Sequence, residues 1–314
     1  VDVQKSFYNY IESIATPGNL RIQYNSWYDF MKEIDADNIE KSFFEIEKGL
    51  TSNGIAPLDA YVVDDGWVDY KSGFWSFNKK FPNQLYDISQ ITAKLDSHFG
   101  LWLGPRGGYG FPDKFAKKME KLGKGSFNSE AKDVCVADKT YIKNVTDFIL
   151  KSTKEFDIDY WKFDGFCLAP CKNPNHNHPV GGENDMYFIT DMWECWIDVF
   201  KKIRELRTKA GKGLWINMTC YVNPSPWWLQ YVNSIWVQNS TDIGFADNLK
   251  AERHLLYVIG MAHPANGFRG DIRKKLAAVI HLYLNLAVFA GARSYLTAEH
   301  MRHKLCAVAN AHYR

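Results

Sequence analysis

"DIDYWKFDGF", residues 157–166, has the apolar density of a buried strand, yet it carries Lys162 and Asp164 and ends in a turn built on Gly165. Burying a carboxylate beside an ammonium costs several kcal/mol unless the pair is well hydrogen-bonded. Two readings stay open from this segment alone: a satisfied ion pair at a strand end, or a pair held for chemistry. The flanking sequence has to separate them.

Working outward, short apolar runs alternate with amphipathic stretches. LRIQYNSW (20–27) predicts a strand and ADNIEKSFFEIEKGLTSNG (36–54) a helix closed by Gly54. LDAYVVDDGW (58–67) is a second strand, DISQITAKLDSHFG (87–100) a helix, and GLWLGPRGG (100–108) a third strand. After a long excursion, a helix near 139–155 leads into the opening segment. DMYFITDMWECWIDVFKKIRELRTKAG (185–211) then predicts a long helix, and GLWINMTCY (213–221) and NSIWVQNSTD (233–242) predict strands five and six. Strands alternating with helices imply parallel pairing through right-handed crossovers. At least six such units point to a (β/α)8 TIM barrel. A doubly wound sheet is the runner-up, but no glycine-rich phosphate turn follows the first strand.

The 314 residues suffice for one large barrel, and a single catalytic domain over 1–314 is expected. The start, VDVQKSFYNY, has neither an initiator Met nor a charged-then-apolar signal pattern, so the chain reads as a piece of a longer multidomain protein. The net charge of +2, without long basic or acidic runs, points away from nucleic acid and anionic membrane partners. No apolar run reaches the roughly 18 residues of a membrane span. Six scattered cysteines are no disulfide scaffold. The aromatic fraction of 15%, with 11 Trp and 17 Tyr, suits either a large core or a site for apolar sugar faces.

In such barrels the reacting groups sit at the C-terminal ends of the strands and in the loops that follow. Asp64 and Asp65 end the second strand, Lys162 and Asp164 the fourth and Cys220 the fifth, while Asp242 follows the sixth. Trp27 and Trp67 stand just beyond the first two. Carboxylates gathered at one face by three strands favour the chemical reading of the opening segment.

YNSW (24–27), VDDGW (63–67), WLGPRGG (102–108) and DYWKFDGF (159–166), in this order and spacing, resemble the retaining α-galactosidases of glycoside hydrolase family 36 and of its relative, family 27. The resemblance runs from about residue 20 to about residue 270, where GMAHPANG (260–267) looks like a worn strand-seven segment. It implies a double displacement that needs no cofactor, with two carboxyl groups across the scissile bond. Asp164 takes the nucleophile position, and Lys162 binds sugar hydroxyls and helps keep Asp164 ionised. Asp64 and Asp65 resemble the pair that grips the axial 4-hydroxyl and the 6-hydroxyl of a galacto-configured sugar.

Trp27 and Trp67 are then walls against the sugar's apolar face, or packing at the rim. The acid/base position falls in WVQNSTDIGF (236–245), where Thr241 separates Ser240 from Asp242; Asp242 is assigned the role and Asp247 is the fallback. Cys220 occupies the place that reads the sugar's 2-position, but NMTCYVNPSPWW (217–228) lacks the Gly-Gly-Arg that follows in the family. α-Galactosides, α-N-acetylgalactosaminides and 2-amino sugars therefore all stay open. The implied partner is an oligosaccharide or glycoconjugate with a terminal α-galactosyl or α-N-acetylgalactosaminyl residue. Family 36 enzymes usually carry a β-sandwich before the barrel and a β-domain after it; neither fits here, so the catalytic barrel alone is expected.

CLAPCKNPNHNHP (167–179) lies outside the resemblance. Cys167, Cys171, His176 and His178 would suit tetrahedral zinc, although their spacing is not that of a common finger. The plainer reading is a surface loop with packed Cys and His. Two other functional classes compete with the glycosidase: a zinc-dependent hydrolase, and a non-catalytic sugar-binding barrel, which would not need paired carboxylates.

Overall fold

The structure, a computed structural model, describes residues 2–18, 21–52, 54–219 and 225–235. Its strands in chain order are β1 (Gln23–Asn25), β2 (Ala60–Val63), β3 (His98–Leu103), the short pair β4 (Phe127–Asn128) and β5 (Asp133–Val134), then β6 (Tyr160–Asp164), β7 (Trp215–Thr219) and β8 (Ser234–Ile235). Six of them form one sheet in the order β1-β2-β3-β6-β7-β8, and every neighbouring pair is parallel. β4 and β5 make a separate antiparallel hairpin in the excursion after β3. The parallel sheet curls as half a barrel. Any strands that would close an eightfold barrel fall outside the described residues.

The helices are α1 (Val3–Ile14), α2 (Trp27–Phe30), α3 (Ala36–Thr51), α4 (Tyr86–Lys94), α5 (Pro112–Lys121), α6 (Lys139–Glu155) and α7 (Met186–Lys209). Their starts are written in the sequence. α3 opens with a reciprocal capping box between Asp35 and Asn38, and Asp138 caps α6 by accepting the Tyr141 N–H at 2.8 Å. α6 buries Tyr141, Val145, Ile149 and Ser152, an i, i+4, i+8, i+11 stripe turned to the sheet. No described helix is long and apolar enough to cross a membrane.

Two boundaries and one further helix differ most from the sequence reading. The helix expected over 87–100 ends at Lys94; Asp96 turns at φ +52°, and His98, Phe99 and Gly100 already pair with β2. The third strand stops at Leu103, because the Gly107 N–H bonds back to the Gly104 carbonyl at 2.8 Å and curls the chain into a turn. Residues 3–14, to which no element was assigned, form α1. Its Asp2 cap accepts the Lys5 N–H, and its Phe7 and Tyr10 rings each lie 5.8 Å from Trp227.

Candidate active site

β6 sorts its side chains by alternation. Trp161 and Phe163 face the helices: the Trp161 indole N–H donates to Thr153 Oγ1 on α6, and the Phe163 ring packs on Trp196 and Phe200 of α7. Tyr160, Lys162 and Asp164 fall on the opposite face, the inside of the curl. All five residues are buried, which answers why the segment looks apolar yet carries charge. Register carries the inner face across the sheet, since Trp102, Lys162, Asn217 and Ser234 lie opposite one another on β3, β6, β7 and β8.

The two charges of β6 are both compensated. Lys162 Nζ donates to Asp64 Oδ2 at 2.8 Å, with both side chains buried. The other Asp64 oxygen accepts the Asp65 N–H at 2.8 Å, and Ser26 Oγ accepts the N–H of Asp64 at 2.9 Å. Asp164 is held by Trp102 Nε1 on Oδ2 at 3.0 Å and by the Tyr109 hydroxyl on Oδ1 at 3.1 Å. Donors on a carboxylate favour its ionised form, and two fixed donors also select one rotamer.

Asp65 has a different environment. It is fully buried, accepts the Tyr70 hydroxyl at 2.7 Å on Oδ1, and meets the Tyr109 N–H at 3.4 Å on Oδ2. Burial pushes its carboxyl up to about 7; the Tyr70 hydrogen bond works against that rise and the neighbouring Asp64 charge adds to it. The adjacent carboxyls thus divide the problem of like charge: Asp64 takes the lysine, and Asp65 holds its proton up to neutral pH.

Gly66 makes the Asp-Asp turn possible. It sits at φ +130°, and a Cβ there would lie 2.6 Å from Ile34 Cγ1 and 2.8 Å from the Lys32 carbonyl oxygen. Gly165, at φ +78°, turns the chain directly after Asp164. Its carbonyl accepts the Arg106 N–H at 3.1 Å, and the Arg106 carbonyl accepts the Val134 N–H at 3.1 Å. The Arg106 side chain is buried and donates from Nε to Asp133 at 2.7 Å; burial nevertheless pushes Asp133 up to about 6, against that pairing.

The two tryptophans separate. Trp27 is half-buried, 6.1 Å ring to ring from Tyr109, which is 6.2 Å from Trp102, so an aromatic strip leads towards Asp164. Trp67 is fully buried. Its indole N–H donates to the Trp102 carbonyl at 3.1 Å, its ring stacks on Phe148 of α6 at 5.9 Å, and Phe77 lies at 5.0 Å. Of its two sequence readings, packing is the one the structure supports, because nothing of the ring is left to meet a sugar.

Among the Cys and His candidates, Cys171, His176 and His178 come together with Cys135. Cys167, the fourth member expected from the sequence, is half-buried and outside this group. Cys220, Asp242 and Asp247 lie outside the described residues. Sequence reasoning gave no role to Trp102 or Tyr109. The signal for Trp102 was present: it is two residues from Gly100, whose missing side chain lets Tyr160 and Val62 close in on the same inner face. Tyr109 stands in a loop, where no periodicity announces direction.

No family model and no curated protein matches the sequence. Solved structures do. A variant of AgaA, a glycoside hydrolase family 36 α-galactosidase from Geobacillus stearothermophilus solved with stachyose, aligns with a TM-score of 0.60 at 14% identity, over 98% of this chain and 44% of that one. The fold is that of family 36 enzymes. AgaB from the same organism aligns at 0.58 and 15% identity, over 97% of this chain and 44% of AgaB. TtGalA, the α-galactosidase from Thermus thermophilus with p-nitrophenyl α-D-galactopyranoside, aligns at 0.54 and 15% identity, over 98% of this chain and 65% of TtGalA. The chain thus spans less than half the length of AgaA and AgaB. Within the family 36 fold, Asp164 stands at the C-terminal end of β6, and Asp64 and Asp65 directly follow β2.

Proposed function

We propose that the chain is the catalytic barrel of a retaining exo-glycosidase that removes terminal α-linked galacto-configured sugars. The observation that carries this reading is the state of Asp164: a carboxylate at a strand's C-terminal end, fixed by Trp102 and Tyr109, with the Lys162–Asp64 pair beside it. A carboxylate in one orientation with its charge supported is what attack on an anomeric carbon requires. Asp164 is the nucleophile and Asp242 the acid/base, with Asp247 in reserve. Asp64 and Asp65 accept hydroxyls at the sugar's 4- and 6-positions, and Trp27 offers an apolar face.

The named activity of the similar structures, α-galactosidase, supports the same substrate class. α-Galactosides are the leading substrate; an α-N-acetylgalactosaminide or an α-galactosaminide is the alternative, decided by the segment around Cys220. The test is a panel of nitrophenyl α-glycosides: galactoside, glucoside, N-acetylgalactosaminide and galactosaminide. A hydrogen bond from a sugar hydroxyl to a charged group contributes about 1.5–3 kcal/mol, so the gluco epimer, which lacks the axial 4-hydroxyl, should be cleaved at least tenfold more slowly. Equal rates on galacto and gluco substrates would refute the proposal, and no cleavage of any of the four would return the chain to the non-catalytic class.

A further inference from the structure

The segment that follows Asp164 and Gly165 runs from residue 165 to residue 182 without helix or strand. It is tied to Cys135, directly after β5, by a gathering of side chains. One ligand-type atom from each of Cys135, Cys171, His176 and His178 lies within 4.8 Å of the other three. A zinc tetrahedron with Zn–S near 2.3 Å and Zn–N near 2.0–2.1 Å has edges of about 3.3–3.8 Å. The contact between Cys171 Sγ and His176 Nδ1, at 3.3 Å, already has such a length. Small inward movements of the other side chains would complete the figure.

Burial and hydrogen bonding point the same way. Cys135, Cys171 and His178 are buried and His176 is half-buried. His178 Nδ1 lies 3.0 Å from the Pro179 carbonyl oxygen; a carbonyl only accepts, so Nδ1 carries the hydrogen and Nε2 presents its lone pair. That Nε2 is buried and has no well-formed hydrogen bond, the Cys171 sulfur being the polar neighbour of the ring. A ring fixed through one nitrogen by a backbone carbonyl, with the other left bare, is how metal-ligating histidines are held. A buried acceptor without a strong partner is costly, and a metal bond would remove that cost.

We propose that Cys135, Cys171, His176 and His178 bind one Zn2+ ion as a structural centre. Thiolate and imidazole donors select zinc over magnesium or calcium. Binding takes both cysteines as thiolates and gives a neutral Zn(Cys)2(His)2 group suited to a buried place. Four protein ligands leave no position for water or substrate, so the ion staples rather than reacts. The staple joins the segment after the nucleophile strand to Cys135. Cys135 directly follows Val134, whose N–H bonds the Arg106 carbonyl. The site therefore supports the turn at Gly165 from behind, and it stands whether or not the glycosidase reading holds.

The 314-residue chain, produced in zinc-containing medium and purified without chelator, should carry one zinc per chain by elemental mass spectrometry. Replacement by Co2+ should give thiolate-to-metal charge transfer and the intense visible bands of tetrahedral cobalt. Cys171→Ser and His178→Ala should each weaken zinc binding at least tenfold in competition with a chromophoric chelator. Cys167→Ser should keep one zinc per chain. Should the ligand variants fail to fold, the cobalt spectrum of the unmutated chain decides alone. Wild-type chain that is free of zinc and takes up neither Zn2+ nor Co2+ at micromolar concentration would overturn the proposal, as would loss of the ion in Cys167→Ser with retention in Cys135→Ser. Neither result depends on enzymatic activity.

Discussion

Replacing Asp65 by Asn should flatten a pH dependence that the native fold carries in one side chain. The carboxyl is raised from 3.8 to about 7, chiefly by burial. At about 1.4 kcal/mol per unit, that rise amounts to about 4 kcal/mol. The sign follows from proton counting. Between pH 4 and pH 7 the unfolded chain has lost this proton and the native protein retains it, so stability falls as pH rises through that window. Below about pH 4 both states are protonated and the contribution is level; above about 7 both are ionised and the full loss is present.

In Asp65→Asn the amide oxygen can still accept the Tyr70 hydroxyl, while the backbone contacts from the Tyr109 and Gly66 N–H groups are weakened. Urea unfolding of both proteins at pH 4.5, 6 and 8 measures the difference. The variant should be the less stable or equal at the low end and gain on wild type by about 3–4 kcal/mol by pH 8, a large fraction of a domain's usual margin. Parallel pH curves for the two proteins would refute the argument, since they would mean that Asp65 ionises in the fold as it does in water.

Four other outcomes follow from the geometry. Trp102→Phe removes the indole donor on Asp164; at about 1.5–3 kcal/mol for a bond to a charge, kcat/KM should drop roughly 10- to 150-fold, whereas an unchanged kcat/KM would deny Trp102 this role. Asp164→Ala should lose turnover and regain some with azide, giving a β-azide, while Asp242→Ala should give the α-azide from an acidic phenol leaving group; identical anomers from both would overturn the assignment. Gly66→Ala should cost about 2 kcal/mol or more beyond Gly123→Ala in urea unfolding, because Gly123 also has positive φ but open space at its Cβ. Trp67→Phe should lower stability and leave KM for a nitrophenyl galactoside unchanged within about twofold, a KM change without a stability change being the contrary result.

Much of this was legible because strand and helix periods differ so sharply. YWKFD reads as buried throughout, and its alternation alone tells that Lys162 and Asp164 share a face while Trp161 and Phe163 share the other. α6 was expected at 139–155 and occupies Lys139–Glu155, since Asp138 marks the start and the apolar stripe marks the extent. Less could be read where direction depends on the third dimension. Trp67 follows two carboxylates in sequence, but Gly66 swings the chain so that the indole points into the helix layer. Cys135 joins a cluster whose other members come from a segment beyond β6, and no spacing rule reaches across α6 to find it. Tyr109 depends on the fold of a glycine-rich loop, in which composition permits many paths and tertiary contacts choose one.

Arg106 holds the turn after Asp164 through its main chain: its N–H reaches Gly165, and its carbonyl receives Val134. Peptide groups are the same in every residue but proline, so such a tie is indifferent to which side chain occupies position 106. Backbone angles make a demand of another kind, as at Gly66 and Gly165, where positive φ favours glycine. A frame fastened in this manner can drift through most of its sequence while its strands keep their places. That is one physical content of a shared fold at 14% identity: peptide hydrogen bonds and a few glycines can hold the same arrangement of strands beneath different side chains.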